Sequence, residues 1–462
     1  MFLDKDGLKM SKLNLVVEGK NQLVQYLEDG CKPKSSWKIG TEHEKFGFIK
    51  SNLKPLPYKG NCSVLGVLKG LMETFGWTPI KENDLIIGLK KGDANITLEP
   101  GGQLELSGGL LDNVHETCLE VATHLAEVKT IADRIGSGFI GLGSAPEWLH
   151  DEMPIMPKDR YKLMAPYMEK VGSHGTKMMF RTCTVQVNLD YSSESDMVKK
   201  MRVGLAIQPL ATALFAASPF FEGKVTGFKS FRSRIWHDTD KSRTGMLPFV
   251  FDEGYGFESW VDYALDVPMY FIKRNNKYIN ALGLSFRDFL EGRLPILPNE
   301  KPQLSDWVDH LTTIFPEVRL KQFIEMRGAD AGPWSRICAL PAFWVGIIYD
   351  KNALDAAWDI CKEWTCEERH KLYKDVSKLG FDAKIQNKTV KELANEILKL
   401  SENGLKNRKK INIHGTKQNE CDFLSPLFSS LEQGVSLADE MLIKYNKDWS
   451  KNIKQIYNEY SY

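Results

Sequence analysis

Residues 40–48 read GTEHEKFGF, a stretch with the look of a half-buried strand that nevertheless carries Glu42, His43, Glu44 and Lys45 in its middle. In a strand, residues i and i+2 face the same way, so Glu42 and Glu44 share one face about 6.7 Å apart. At an effective dielectric of about 20, that pair repels by roughly 2.5 kcal/mol. Bulk water, a basic residue or a cation must offset the cost. His43 and Lys45 point to the opposite face, where His43 reads as a hydrogen-bonded structural histidine.

Four other stretches repeat the pattern. In NITLEPGGQLELSGG, Ile96 and Leu98 alternate with Thr97 and Glu99, and after a Pro-Gly-Gly turn Leu104 and Leu106 alternate with Gln103 and Glu105. In RTCTVQVNLDY, Val185, Val187 and Leu189 alternate with Thr184, Gln186 and Asn188. KSFRSRIWHD, read as a strand, puts Arg232, Arg234 and Trp236 on one face, and FIEMRGAD alternates Ile324 and Met326 with Glu325 and Arg327. A solvated sheet face would be rich in Lys, Thr and Ser. These faces concentrate Glu, Gln, Asn and Arg, which suits a concave polar surface gripping a charged ligand. The expected fold class is α+β: a curved, mainly antiparallel sheet with helices on its apolar side.

The spacing predicts helices over 113–135, 389–404 and 436–445, and one in the apolar run 204–221 that stops at Pro219. From about residue 350 the chain reads as helical and polar, with a basic loop at 406–410. The expected organisation is a catalytic core over 1–350 and a peripheral helical layer over 351–462, forming one structural unit. With 61 basic and 60 acidic residues, the net charge of +1 gives no reason to expect a nucleic-acid or membrane partner. The first twenty residues contain no apolar core of 7–15 residues, so they read as neither signal nor transit peptide. The expected location is cytoplasmic. The default for all eight cysteines is then a reduced thiol in or near the core.

GSGFIG at 136–141 matches G-x-G-x-x-G but follows a helix and precedes a strand, the reverse of the dinucleotide-binding order. It reads as a helix C-cap. No phosphate-binding G-x4-G-K-[ST], H-E-x-x-H or G-x-S-x-G occurs. What remains is the carboxylate set Glu42, Glu44, Glu99, Glu105 and Glu325, hard oxygen ligands of the kind that suit more than one Mg²⁺. Lys45 and Arg327 then suit phosphate, and Arg232 a substrate carboxylate. These residues point to an ATP- and Mg²⁺-dependent enzyme acting on an anionic small molecule, with ligase, kinase and phosphatase all open.

GTEHEKFGF, EPGGQLELSGG, MPKDRYKLM, MMFRTCTVQVNLD, DKSRTGMLPFVFD, LTTIFPEVRLKQFIEMRGADAGPW and CALPAFWVG together resemble plant-type glutamate–cysteine ligase, from about residue 20 to the C-terminus. The resemblance implies a glutamine synthetase-like fold with the active site on the concave sheet face. It implies ATP-dependent joining of L-glutamate to L-cysteine through a γ-glutamyl phosphate, the first step of glutathione synthesis. The alternatives are a ligase using another amine and a non-catalytic ligand-binding homologue. Carried over by position, Glu42, Glu44, Glu99, Glu105 and Glu325 resemble the Mg²⁺ ligands. Arg327 resembles the residue that meets the transferring phosphate. Arg232, Trp236, Asn188 and Gln186 resemble substrate-pocket residues, with Arg232 also a catalytic candidate, and Lys45 and Arg243 resemble nucleotide contacts.

The same resemblance bears on the cysteines. Of two disulfides in plant members, one matches Cys118 and Cys338, while the other falls on Ala281 and Ile296 and cannot form. That loss, with the missing transit peptide, implies a bacterial source. The expected assembly is a monomer or homodimer.

Overall fold

The computed structural model describes residues 13–275, 277–412 and 418–462. Residues 1–12, on which the reading of the N-terminal segment largely rests, lie outside them. Nine strands form one open, antiparallel sheet. They are β1 (Ile39–Ile49), β2 (Thr78–Glu82), β3 (Leu85–Lys91), β4 (Ala94–Leu98), β5 (Leu104–Ser107), β6 (Ser137–Ile140), β7 (Thr184–Leu189), β8 (Val318–Leu320) and β9 (Ile324–Asp330). Their spatial order is β8-β9-β7-β1-β5-β4-β3-β2, and β6 pairs with the second half of β1. This places the opening stretch at the centre, hydrogen-bonded to β7 on one side and β5 on the other.

Register follows the side-chain alternation. Arg319 faces Glu325, and Glu325 faces Asn188. Glu42 pairs with Gln186 and Ser107, and Glu44 pairs with Glu105, which pairs with Thr97. All of these side chains therefore share one face. The other face carries Ile96, Leu104, Leu106, Val185, Val187, Ile324 and Met326, each buried. Packed against it are the helices α1 (Val114–Ile135), α3 (Glu194–Leu214) and α5 (Trp334–Ile348). The sites below also draw on α2 (Asp159–Val171), α4 (Phe231–Trp236), α6 (Cys366–Leu379) and α7 (Val390–Arg408). Mixed helix and antiparallel sheet is what the alternation predicts.

Local signals set the helix ends. Asn113 accepts from the Glu116 N–H to start α1, and Gly136 at φ 76° closes it, as the C-cap reading of GSGFIG requires. Thr389 and Glu392 form a capping box at the start of α7. That helix extends to Arg408, so most of the expected basic loop at 406–410 is its last turn. α3 ends at Leu214, five residues before Pro219, and accommodates Pro209 within it.

KSFRSRIWHD is not a strand. The Ser230 hydroxyl accepts the Ser233 N–H and starts the short helix α4. Helical spacing then puts Arg232 and Trp236 on one face, four residues apart, and turns Arg234 away.

On the helix side of the sheet, His43 is fully buried and packs edge-on against His124 of α1, ring centroids 5.5 Å apart. Neither ring nitrogen of His43 has a hydrogen-bond partner among the described residues, which corrects the expectation of a hydrogen-bonded histidine. Burial, then the charge of Lys45, holds His43 well below the ordinary histidine value and hence neutral.

His310 is one acid-sensitive element of the fold. Its Nε2 lies 2.8 Å from the Ala264 carbonyl, and burial lowers it to about 4 from 6.5. Below pH 6.5 the unfolded chain takes up the proton first, so this contribution is complete above that pH and is lost as pH falls towards 4. Between pH 7 and 5 the loss is about 2 kcal/mol from this group alone. In denaturant titrations, His310→Gln is expected to reduce the stability difference between those two pH values by about that amount.

Candidate active site

A pocket opens on the polar face of the sheet. Its sheet-borne lining includes Glu44, Thr184 and Arg327, and the turn after β4 contributes Glu99 and Pro100. Arg160 and Tyr161 come from α2, and Arg232 and Trp236 from α4. Thr312, Thr313 and Phe315 close one wall. The turn is tight because Gly102 adopts φ 83° and a Cβ on Gly101 would lie 2.3 Å from the Phe180 carbonyl.

The carboxylates fall into two electrostatic groups. In the first, Glu44 and Glu105 are direct cross-strand partners, and Glu42 is hydrogen-bonded to Glu105. Burial, then Glu99 and Glu105, pushes Glu44 well above the usual carboxylate range, against the pull of Arg232 and the Thr184 N–H at 3.0 Å. Burial, then Glu42 and Glu99, pushes Glu105 up to about 8. Glu99 stands at the rim, with its Oε1 3.5 Å from the Tyr161 hydroxyl and 3.8 Å from Arg160 Nη2. Like charges opposed across a sheet are destabilising, and the nearby donors only partly neutralise this set.

Glu325 forms the second group. Burial would raise it, but Arg319 and Arg327 hold it well below the usual range. Arg319 grips both of its oxygens, and Arg327 Nη1 donates to Oε1 at 3.1 Å. Arg327 Nη1 also donates to Gln186 Oε1 at 2.7 Å, and Asn188 Nδ2 donates to Glu42 Oε1 at 3.0 Å. Arg232 Nη2 donates to the Arg327 carbonyl at 3.0 Å, and its guanidinium sits 5.6 Å from the Trp236 ring. Arg232 Nε and Trp236 Nε1 are buried donors without a partner among the described residues.

Most of the expected site residues therefore gather on or around one face. Two do not. Lys45 is fully buried on the helix side of β1, donates to the Leu104 carbonyl at 3.2 Å and is lowered to about 7 by burial. It cannot meet a nucleotide on the polar face. Arg243 is also fully buried: Nε binds Asp240 at 2.6 Å, Nη1 the Thr313 carbonyl at 3.1 Å and Nη2 the Pro268 carbonyl at 2.8 Å. Its guanidinium lies 3.9 Å from the Tyr270 ring centroid. Its donors are spent on the chain, so it braces the pocket wall at Thr313 and is not a nucleotide contact.

Sequence reasoning missed Arg160, Tyr161, Arg319, Glu317 and Tyr373. Glu317 is buried and faces Arg232 and Arg327, and its Oε1 accepts from the Tyr373 hydroxyl of α6 at 2.8 Å. Cys118 of α1 and Cys338 of α5 are buried free thiols, hydrogen-bonded to one another.

Among the described residues, no three His, Cys, Asp or Glu side chains converge into a ready coordination sphere. Mg²⁺ needs only one or two protein carboxylates, the rest being water and substrate phosphate. The raised carboxyls of Glu44 and Glu105, with Glu42 and Glu99 beside them, fit such a cation. Glu325 enters with its charge already met by two guanidiniums.

The pattern of glutamate-cysteine ligase family 2 matches residues 38–459. The chain belongs to that family. It is 53% identical over 443 residues to glutamate–cysteine ligase B, chloroplastic, of Oryza sativa subsp. japonica, covering 96% of this chain and 87% of that one. Identity to the chloroplastic glutamate–cysteine ligase of Arabidopsis thaliana is 52%, covering 96% and 83%. Among solved structures, the fold is similar to glutamate–cysteine ligase from Francisella tularensis in complex with AMP, with TM-score 0.53, 11% identity, and 92% and 89% coverage. It is also similar to the bifunctional glutathione synthetase from Pasteurella multocida, with TM-score 0.53 and 12% identity. The chain covers 53% of that protein's length, about half.

The expectation of a cytoplasmic protein of bacterial source is overturned: these high-identity relatives are plant proteins named as chloroplastic. The inference failed because it took the make-up of one N-terminal stretch, and the loss of one cysteine pair at Ala281 and Ile296, as evidence of location and source. No helix among the described residues is long and apolar enough to cross a membrane.

The link from α6 to the site is testable. Tyr373→Phe removes the one donor described for Glu317 Oε1 inside the core, which is expected to cost about 1–3 kcal/mol. Urea unfolding should show a lower midpoint with an unchanged m-value.

Proposed function

We propose that the protein is an ATP-dependent ligase joining the γ-carboxylate of L-glutamate to the amine of L-cysteine, giving γ-glutamylcysteine, ADP and phosphate, the first step of glutathione biosynthesis. The observation that carries the reading is the division of the polar face. Carboxylates short of counter-charge stand on β1 and β5. Guanidiniums beside the same pocket come from α4 and β9. ATP needs the first as a seat for its cations, and the substrate's carboxylates and the moving phosphoryl group need the second.

Glu42, Glu44, Glu99 and Glu105 would hold Mg²⁺, with Glu325 contributing from β9. When bound, Mg²⁺ supplies charge neutralisation to the nucleotide phosphates. Arg327 meets the phosphoryl group as it passes from ATP to the γ-carboxylate oxygen, yielding γ-glutamyl phosphate and ADP. Arg232 and Trp236 orient the amino-acid substrate, each with an unspent buried donor. Asn188 and Gln186 contribute as well, and hold Glu42 and Arg327 in place. The cysteine nitrogen then forms the amide bond as the carbon–oxygen bond to phosphate breaks. The walls favour this second step by keeping water from the acyl phosphate, since Met164, Met178, Met179, Phe271 and Phe315 make much of the lining apolar.

The sheet belongs, in this reading, to the glutamine synthetase-like class, with the C-terminal helices part of the same structural unit. The contact between Tyr373 of α6 and Glu317 supports that unity. The adjacency of Cys118 and Cys338 is compatible with their pairing under oxidising conditions.

Phosphate release is expected only when ATP, Mg²⁺, glutamate and cysteine are all present. Release with glutamate and another amine, but not with cysteine, overturns the reading. Glu42→Gln is expected to lower turnover at least about 100-fold while leaving the thermal unfolding midpoint within a few degrees, given the size of single electrostatic contributions in such sites. Wild-type turnover in that variant removes Glu42 from the cation site.

A further inference from the structure

Glu325 is the most heavily partnered carboxylate of the site, and Arg319 is the reason. Arg319 Nε donates to Oε2 at 2.5 Å and Nη2 to Oε1 at 3.0 Å. Nη1 of the same guanidinium donates to the carbonyls of Thr312 at 3.1 Å and Ile314 at 3.0 Å. Thr312 and Phe315 line the pocket, whereas Arg319 does not and is 6% exposed. One planar group thus ties a carboxylate on β9 to the pocket wall.

Geometry limits what Glu325 can still do. A carboxylate has about four lone-pair positions. Arg319 occupies one on each oxygen, and Arg327 takes a second on Oε1. The open position is on Oε2. We infer that Arg319 is a positioning residue for the cation site: acting through Glu325, it fixes the carboxylate so that Oε2 is the oxygen left to a divalent cation, and it locks that oxygen to the Thr312–Phe315 wall. This rests on the proposed placement of Glu325 beside the cation. Lysine cannot substitute, because three donors on one nitrogen cannot span both carboxylate oxygens and two carbonyls.

The test is Mn²⁺ binding to the intact enzyme, followed by loss of the free-ion electron paramagnetic resonance signal, with thermal unfolding measured in parallel. Arg319→Lys is expected to weaken Mn²⁺ binding about tenfold or more, the usual effect of removing a residue that orients a metal ligand. Glu325→Gln is expected to weaken it too, and the double variant to be no worse than Glu325→Gln alone. Should Arg319→Lys fail to fold, Glu325→Asp carries the same expectation, since it keeps the charge but shortens the acid out of the fork. A lowered unfolding midpoint with unchanged Mn²⁺ binding in Arg319→Lys, or additive losses in the double variant, overturns the inference about Arg319. Unchanged binding in both Glu325 variants shows instead that Glu325 lies outside the cation site, which overturns it as well.

Discussion

The structure depends on one awkward pairing: Glu44 opposite Glu105 in neighbouring strands, with Glu42 bonded to Glu105 beside them. Three carboxylates crowd one face of a sheet whose other face is the hydrophobic core. Side-chain direction in a strand has a period of two, so a slip of one residue in β1 would drive Glu42 and Glu44 into that core. It would also lift His43 and Lys45 onto the polar face. The cost of either move fixes the register of the central strand, and the register of β1 fixes where β5 and β7 place Glu105, Gln186 and Asn188. The charge crowding on this face also helps to make the sheet's alignment unambiguous.

Charge balance across the face is uneven. At the β8–β9 edge, Glu325 is met by Arg319 and Arg327 and is held firmly ionised. At the centre, Glu44 and Glu105 have neutral hydrogen-bond donors but little counter-charge, and retain protons more readily than ordinary carboxylates. The pocket thus has a carboxyl-rich centre at Glu44 and a guanidinium side at Arg232 and Arg327.

The sheet was legible because alternation is a local signal that needs no partner to be seen, and Glu42, Glu44, Gln186 and Glu325 carry it. The helix starts at Asn113, Thr389 and Ser436 were legible for the same reason, whereas the expected end at 404 fell short of Arg408. What failed depended on context. Arg232 and Trp236 suit a strand by spacing two and a helix by spacing four, and only the Ser230 cap decides between them. Lys45 was assigned to phosphate from its charge and Arg243 to the nucleotide from the resemblance, and neither argument carries information about burial. Arg319 was missed although it stands three residues after Pro316 in FPEVRLKQF, within a quoted motif. Its alternation with Val318 and Leu320 was the available signal.

The residues that sequence reasoning missed or misassigned include those that connect layers. Arg319 joins a sheet carboxylate to a loop, Arg243 joins that loop to two tyrosines, and Tyr373 joins the C-terminal helices to Glu317. Each spends its hydrogen bonds on protein groups brought together by the fold, a role that residue type and charge alone do not mark. A loop carries pocket walls only if its backbone is held, because 312–315 has little regular structure of its own. Two buried guanidiniums hold it, Arg243 at the Thr313 carbonyl and Arg319 at those of Thr312 and Ile314. The wall facing the carboxylates is therefore anchored through its carbonyls, and the Thr312 and Thr313 hydroxyls add to this by donating to the Asp309 and His310 carbonyls.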